Sequence, residues 1–292
     1  MPMTILVSAS TGRLGRLVMK ALLERVAPDA LLAGARNTPK ALGFAKYGVS
    51  IRELDYARPA TAFASLQGVE KLLLISGNDP ERALGHSKII EAAELKGVKH
   101  IVYTSVLHAD SARSMVARDH AETEAALRAS GVPFTLLRNG WYMENYTDNL
   151  GITLGNGALF GATGDTKFSP AARADYAEAA AVVLTSEGHE GKIYELGGDA
   201  AYSLAEIAGE IQRISGQVVT YNDWPAAEYK SMLQGFGLPA PIAASLADSD
   251  AGLARGELLT TTGDLSRLLG RPTTPLSTVI EDALRTAGES LY

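Results

Sequence analysis

Apolar residues in the first half of the chain follow two alternating periods. Ile5, Leu6 and Val7 form an apolar run without polar alternation, the pattern of a strand buried on both faces. From Leu14 the apolar residues recur at 14, 18, 21 and 22, the period of a helix with one buried stripe. Mostly small residues, Ser8 to Gly15, join the two. The same alternation continues downstream. Strands are predicted at Leu31–Ala35, Val49–Leu54, Lys71–Gly77, His100–Val106 and Phe134–Leu137. A helix carrying Ile89, Ile90, Ala93 and Leu95 closes at Gly97, and another runs from about Arg118 to Ala129 and stops at Gly131.

Strand and helix alternating in this way predict βαβ units and a doubly wound parallel sheet of the α/β class. Crossovers of one hand align the strand C-termini along one edge, where ligands bind near the reversal of strand order. After Asn145 the rhythm breaks. Residues 150–170 are glycine-rich and aperiodic, and read as loops and short strands. Asp175–Thr185 reads as a helix and Lys192–Leu196 as a strand. Ser203 can cap a helix running to Ile214, with Glu206 completing a capping box. Val218–Tyr221 reads as a strand and most of the remainder as helix. The expected organisation is a Rossmann-like dinucleotide-binding domain over residues 1–149, to which 174–198 return. A smaller helix-rich C-terminal substrate domain is expected over 150–173 and 199–292, with substrate held between the two.

The turn Ser8–Gly15 offers backbone N–H groups and the positive end of a helix dipole to a phosphate. It departs from G-x-x-G-x-x-G by Ala9 at the first glycine, keeping Gly12 and Gly15. Gly12 would let the backbone approach the phosphates, and Gly15 would let the helix pack closely on the strand. An alanine at the first position implies a turn that avoids a strongly left-handed conformation.

Composition narrows the partners. The chain has 292 residues, a net charge of −6, 46% hydrophobic residues and no cysteine. The acidic balance argues against nucleic acid, and no run reaches the ~20 apolar residues that span a bilayer. Lack of cysteine excludes disulfides and thiolate chemistry and fits a cytoplasmic location. The five histidines show no ligand spacing, so no metal is expected. A homodimer stays open.

The tail of the second strand bears on the cofactor. An NAD site places an acid there to bond the ribose hydroxyls. Here residues 30–41 hold no acid, and Arg36 occupies the place, 21 residues after Gly15. Its planar fork suits a 2′-phosphate, as does Arg13 inside the turn. The alternative is that both are solvated surface charges.

For chemistry, the helix after the fifth strand lacks a Tyr-x-x-x-Lys pair and carries His120 and Glu124, one turn apart. They read either as an acid/base pair or as a helix-surface pair in which Glu124 meets Arg128. The stretch RNGWYMENY from Arg138 to Tyr146 places aromatic faces and amides at the binding edge. Trp141 reads equally as core or as ligand contact, whereas Tyr142 and Asn145 read as ligand contacts. Tyr142, Asn145 and His120 are the catalytic candidates.

Several long motifs carry a resemblance. They include SASTGRLG, ARN at 35–37, LDY at 54–56, KLLLISG, YTSVLHAD, HAETE, RNGWYMENY, RADYAEAAA, KIYELGGD and LLGRPTTPL. With these the chain resembles the NmrA-like atypical short-chain dehydrogenases, and among them the NADPH-dependent quinone reductases, along its whole length. The resemblance implies a cytosolic reductase that transfers hydride from NADPH to a quinone stacked on the nicotinamide. It implies cofactor contacts from the turn, Ser10, Thr11, Gly12, Arg13 and Leu14, and from Arg36. Ser76, Gly77 and Asn78 follow the fourth strand, and Gly140, Trp141, Tyr142, Met143, Glu144 and Asn145 the last one. Arg173 matches a further arginine of the family. Two alternatives remain: a reductase of another conjugated acceptor such as a triphenylmethane dye, and an NADP(H)-sensing regulator without turnover.

Overall fold

A computed structural model of the chain describes residues 3–77, 79 and 81–289. It divides into two compact units. The first comprises Met1–Ala109, Asp119–Asn139 and Ala174–Glu195, and the second Asp110–Arg118, Gly140–Arg173 and Leu196–Tyr292.

The strands of the first half are β1 (Ile5–Val7), β2 (Leu31–Ala35), β3 (Ser50–Glu53), β4 (Lys71–Leu74), β5 (His100–Val106) and β6 (Phe134–Asn139). The helices that follow β1, β3, β4 and β5 are α1 (Arg13–Leu23), α3 (Pro59–Ser65), α4 (Arg82–Leu95) and α5 (Met115–Ser130); short α2 (Leu42–Ala45) precedes β3. With β8 (Ile193–Leu196) the strands form one sheet in the order β3-β2-β1-β4-β5-β6-β8. The pairs β1–β2, β2–β3, β1–β4, β4–β5 and β5–β6 are parallel. The order reverses between β1 and β4, so the switch point lies beside the small-residue turn.

Apolar runs become central strands because both faces of the sheet are covered. Every residue of β1 and β2 is buried, whereas β3, at the edge, is only partly covered. Leu6, Leu32, Leu72, Leu74, Ile101, Tyr103 and Leu136 pack against Ile89, Ile90 and Ala93 of α4 and Leu127 of α5 in one cluster. Helix α1 buries Leu14, Val18, Met19 and Leu22. Helix α5 starts three residues before the expected Arg118, and β6 runs on through Arg138 and Asn139.

The stretch 150–170 differs from its expectation. After short α6 (Glu144–Thr147), residues Leu150–Asn156 form a helix, α7, closed by Gly157 at φ 60°. Strand β7 (Ala158–Gly161) follows. Two glycines make LGITLGN a weak helix former, but burial of Leu150 and Thr153 overrides that propensity. Helix α8 (Arg173–Thr185) and α9 (Leu204–Ser215) come next, and α9 carries the capping box between Ser203 and Glu206. Strand β9 (Thr220–Asp223) pairs in parallel with β7. Four helices complete the chain: α10 (Ala226–Gly235), α11 (Ala240–Ala254), α12 (Asp264–Leu269) and α13 (Leu276–Glu289). Tyr229, Met232, Leu233, Ala243 and Ala162 form a separate core of the second unit.

Candidate functional site

The turn after β1 is pinned on every side. Ser8 N–H donates to Leu73 O, Gly12 N–H to Ala9 O at 2.9 Å, and Ser10 N–H to Gly34 O at 3.0 Å. The Ser10 hydroxyl donates to the same Gly34 oxygen at 3.0 Å, so this side chain is buried in the turn's own bonding. These bonds hold Ala9 at φ 45°. Alanine therefore does adopt the left-handed conformation that its presence argued against: the flanking hydrogen bonds impose the geometry, and the residue carries the strain. Left-handed backbone costs an L-residue about 1–2 kcal/mol, partly recovered because alanine is less free than glycine when unfolded. Ala9→Gly should raise stability by about 0.5–1 kcal/mol, read as a higher denaturation midpoint with an unchanged slope. A lower midpoint would refute strain at this position.

Gly15 has no alternative. A β-carbon there would sit 2.3 Å from Ala9 O and 2.8 Å from Ser10 Cα. Gly12 is the N-cap of α1, which has no side-chain cap and no acidic residue in its first turn. The first turn thus supplies no acid of its own to its N–H groups, and the helix dipole adds to their attraction for a phosphate. Arg13 opens the helix and is exposed, Thr11 is half-buried, and Leu14 packs inward. At the tail of β2 the Arg36 side chain is 70% exposed and pairs with Asp79 at 3.9 Å. A contact that long and exposed is weak and displaceable. The turn and its arginines fit a dinucleotide carrying a 2′-phosphate.

The loop after β4 is tied to the turn through Tyr56. Ile75 N–H donates to Ser8 Oγ at 2.9 Å, and the Tyr56 hydroxyl donates to Ile75 O at 2.6 Å. The Ser8 hydroxyl must then donate to Tyr56 Oη, 2.6 Å away, closing a ring of three bonds. Ser76 N–H donates to Thr104 Oγ1, and Gly77 N–H to His86 Nε2 at 3.1 Å. That bond places the His86 proton on Nδ1, which donates to Thr123 Oγ1 at 3.0 Å. Burial, with Arg82 adding to it, pushes His86 down to about 4. Asn78 lies outside the described residues.

His120 and Glu124 are not on a surface. Both are buried, His120 at 5% exposure and Glu124 at 0%. His120 Nδ1 is 2.7 Å from the Tyr103 hydroxyl. Burial, together with Arg82 and His86, pushes His120 down to about 3, and burial pushes Tyr103 up. Helical spacing alone does not reveal which face of α5 packs on the sheet, so the surface reading fails for both.

Glu124 does meet Arg128, at 3.0 Å, but its principal partner is Arg138. Arg138 Nε and Nη2 donate to the two Glu124 oxygens at 2.9 and 2.7 Å, and Nη1 donates to Glu195 at 2.7 Å. The Ser105 hydroxyl adds a bond to Glu124 at 2.7 Å. Burial alone would lower the Arg138 guanidinium, yet its bonds to Glu124 and Glu195 outweigh it and push the group up. Glu195 also accepts from His108 N–H at 3.0 Å, and His108 stands at φ 54°. Arg138, Glu195 and Ser105 escape a reading of the sequence for ligand contacts. The available signal was an arginine inside the apolar run FTLLRN. Beside it, the buried Asn139 Oδ1 has no hydrogen-bond partner among the described residues. An unpaired buried acceptor at the ligand-binding edge is an open position for a donor.

In the second unit, the chain after β6 forms a compact cluster. Gly140 N–H donates to Leu196 O at 2.7 Å, and Trp141 O and Met143 N–H both bond Ala171 at 3.0 Å. Both oxygens of Glu144 accept from Arg173 N–H, at 2.8 and 2.9 Å. Burial pushes the Glu144 carboxyl up. The Arg173 guanidinium lies 5.0 Å from the Tyr142 ring centre and 3.3 Å from Asp148. Tyr142, Glu144 and Arg173 are thus brought together, Asn145 is exposed beside them, and Met143 is buried. Among the described residues no group of three or more His, Asp or Glu is placed to hold a metal, and no helix is long and apolar enough to cross a membrane.

A family model described as NAD(P)H-binding matches residues 9–187. The chain is 45% identical over 274 residues to quinone oxidoreductase 2 of Escherichia coli (strain K12), covering 94% of this chain and 96% of that protein. The crystal structure of NADPH-dependent quinone oxidoreductase from Escherichia coli complexed with NADPH superposes with a TM-score of 0.93, at 44% identity, over 96% of this chain and 100% of the other. Citrobacter sp. triphenylmethane reductase complexed with NADP(H) matches with a TM-score of 0.91 at 34% identity, over 96% of this chain and 100% of that one.

Proposed function

The chain belongs to the NAD(P)H-binding family, and on that premise we propose that it is an NADPH-dependent quinone reductase. The observation that carries the cofactor choice is the exposed Arg36 at the tail of β2, beside a helix start free of acid and side-chain cap. Bound there, NADPH would supply the hydride. The first-turn N–H groups of α1 hold the pyrophosphate, Gly12 lets the backbone approach it, and Arg36 and Arg13 hold the 2′-phosphate. The ring joining Ser8, Tyr56 and Ile75 keeps the turn and the β4 loop in one geometry before the cofactor arrives. Tyr142, Glu144, Asn145 and Arg173 are proposed contacts of the nicotinamide half and the acceptor. A quinone needs hydride and one proton rather than reversible alcohol chemistry, which suits a site without Tyr-x-x-x-Lys. A cytosolic location follows from the same reading.

The decisive assay is NADPH oxidation with and without a panel of benzoquinones and naphthoquinones. Stimulation by quinones is expected; tight NADPH binding without stimulation by any of them sinks the proposal. Arg36→Ala should weaken NADPH binding by about 1–3 kcal/mol, the worth of a charge-assisted bond, and leave NADH binding little changed. Equal loss for both cofactors would refute the 2′-phosphate contact.

A further inference from the structure

We propose that His86, assisted by Arg82, is a positioning residue of the NADPH site: it fixes the backbone of Gly77 so that the loop after β4 meets the cofactor in one conformation. The inference rests on the reading of Ser76 and Gly77 as cofactor contacts and names what shapes them.

The loop has no regular structure of its own. β4 ends at Leu74, and Ile75, Ser76 and Gly77 run on from it beside the β1 turn, where the strand order reverses. Three successive N–H groups are taken by side chains from three different elements. Ile75 N–H donates to Ser8 Oγ of the β1 turn, and Ser76 N–H to Thr104 Oγ1 of β5, both at 2.9 Å. Gly77 N–H donates to His86 Nε2 of α4 at 3.1 Å. The first two anchors belong to the sheet. The third fixes the glycine, whose backbone freedom would otherwise leave the loop undetermined beyond Ser76.

His86 is built into its place. Gly85 lets α4 lie close against Tyr56, since a β-carbon there would stand 3.1 Å from Tyr56 O. The buried imidazole sits between the rings of Tyr56 and Tyr103, edge-on to both, at centroid distances of 5.4 and 5.6 Å. Its Nδ1 donates to Thr123 Oγ1 at 3.0 Å, and Thr123 Oγ1 donates in turn to Asp119 O at 3.0 Å. Every bond in the series Gly77, His86, Thr123, Asp119 runs the same way, so the ring has one tautomer and one orientation. Asp119 also accepts from Arg82 Nε at 2.7 Å, and Arg82 Nη1 reaches back to Gly77 O at 3.4 Å. Arg82 and His86 are one turn apart on α4, as are Asp119 and Thr123 on α5. Both backbone polar groups of Gly77 are thus tied to one pair of helices.

On its other side Gly77 meets Tyr56, where a β-carbon would lie 3.2 Å from the ring. Tyr56 also bonds Ser8, so the loop and the phosphate turn share one support. A histidine that only fills the core has no need to accept from a loop at the ligand edge. This one gives its acceptor to the glycine beside the cofactor turn, and only a neutral imidazole can do so. Burial, with Arg82 adding to it, pushes His86 down to about 4 and keeps it neutral.

Two substitutions separate the two ring nitrogens. His86→Gln places an amide oxygen near the position of Nε2 and keeps an acceptor for Gly77 N–H. His86→Asn places an amide N–H near the position of Nδ1, keeps the donor to Thr123 and leaves Gly77 N–H unpaired. His86→Asn should raise the NADPH Kd, read by fluorescence titration, about tenfold, the effect of a backbone N–H that loses its acceptor. The KM for NADPH should rise with it, kcat should change less, and the Gly77 amide should exchange with solvent faster. His86→Gln should return the Kd and the Gly77 protection toward wild type, although both variants lose stability. Arg82→Ala, which releases the longer bond to Gly77 O, should raise the Kd about threefold. In the wild-type protein the His86 proton should be on Nδ1, read from its 15N shifts. A proton on Nε2 is incompatible with the bond and overturns the proposal even where neither variant folds. Equal Kd values in the two His86 variants overturn the positioning role, and a wild-type Kd in Arg82→Ala overturns the part of Arg82. A wild-type Kd in His86→Asn with Gly77 still protected overturns the clamp. The same Kd with Gly77 unprotected overturns the loop as a cofactor contact, and this inference with it.

Discussion

Arg138→Ala should destabilise the protein by about 3–5 kcal/mol, the cost of removing one partner from a buried ion pair. Glu124 would keep a fully buried carboxylate whose nearest remaining cation, Arg128, is about half exposed. Glu195 would lose its fixed oxygen and with it the anchor of the His108 backbone. Chemical denaturation reads the first effect as a large fall in midpoint. If the loss stays below 1 kcal/mol, Glu124 is either protonated or solvated, and the network does not bear on stability. Replacing Arg138 and Glu124 together by apolar residues of similar volume should recover much of the loss.

The second large effect is acid lability. His86 and His120 are pushed down to about 4 and about 3, chiefly by burial. Unfolded histidine titrates near 6.5. The unfolded chain therefore binds protons that the folded chain refuses as pH falls below that value. Their contribution is complete above pH ~6.5 and is lost as pH drops toward ~4. At pH 5 each costs about 2 kcal/mol relative to neutral pH, or about 4 together. His100, pushed down to about 4 mainly by burial, acts in the same direction. Asp250 opposes them: burial pushes its carboxyl up to about 6, so its cost is present at neutral pH and is relieved as pH falls through that value. The relief is about 1.5 kcal/mol at pH 5. Counting His100 as well, a net loss of about 4 kcal/mol between pH 7.5 and 5 is expected, against a typical total of 5–15. Denaturation midpoints across this range check it, and a midpoint that is flat or rises on acidification would contradict the histidine assignment. Gly77 N–H loses its acceptor when His86 is protonated, so NADPH affinity of the folded protein should fall only as pH drops through about 4.

Particular residues show why some of the protein is readable from its sequence. The runs ILV, KLLL and HIVYTSV form central strands because an unbroken apolar stretch can be satisfied only where both faces are covered. Ser203 and Glu206 announce their helix because a capping box is a local reciprocal bond. Gly15 announces a close approach because no other side chain could fit beside Ala9 O. Helix α7 was not legible, since its formation depends on what Leu150 packs against rather than on its own propensity.

The sequence by itself therefore determines the strand–helix rhythm, the sheet that follows from it, the phosphate turn and the arginine at the tail of β2. Each is a local pattern of period, small residues or charge type. The tertiary structure alone decides that Ala9 is strained, that His120 and Glu124 face inward, and that carboxylates from α5 and β8 meet one arginine on β6. The reason is physical. Backbone strain is set by hydrogen bonds from both sides of a turn, and a helical residue's face is set by what the helix packs on. A buried charge is tolerable only where residues distant in the chain supply its partners.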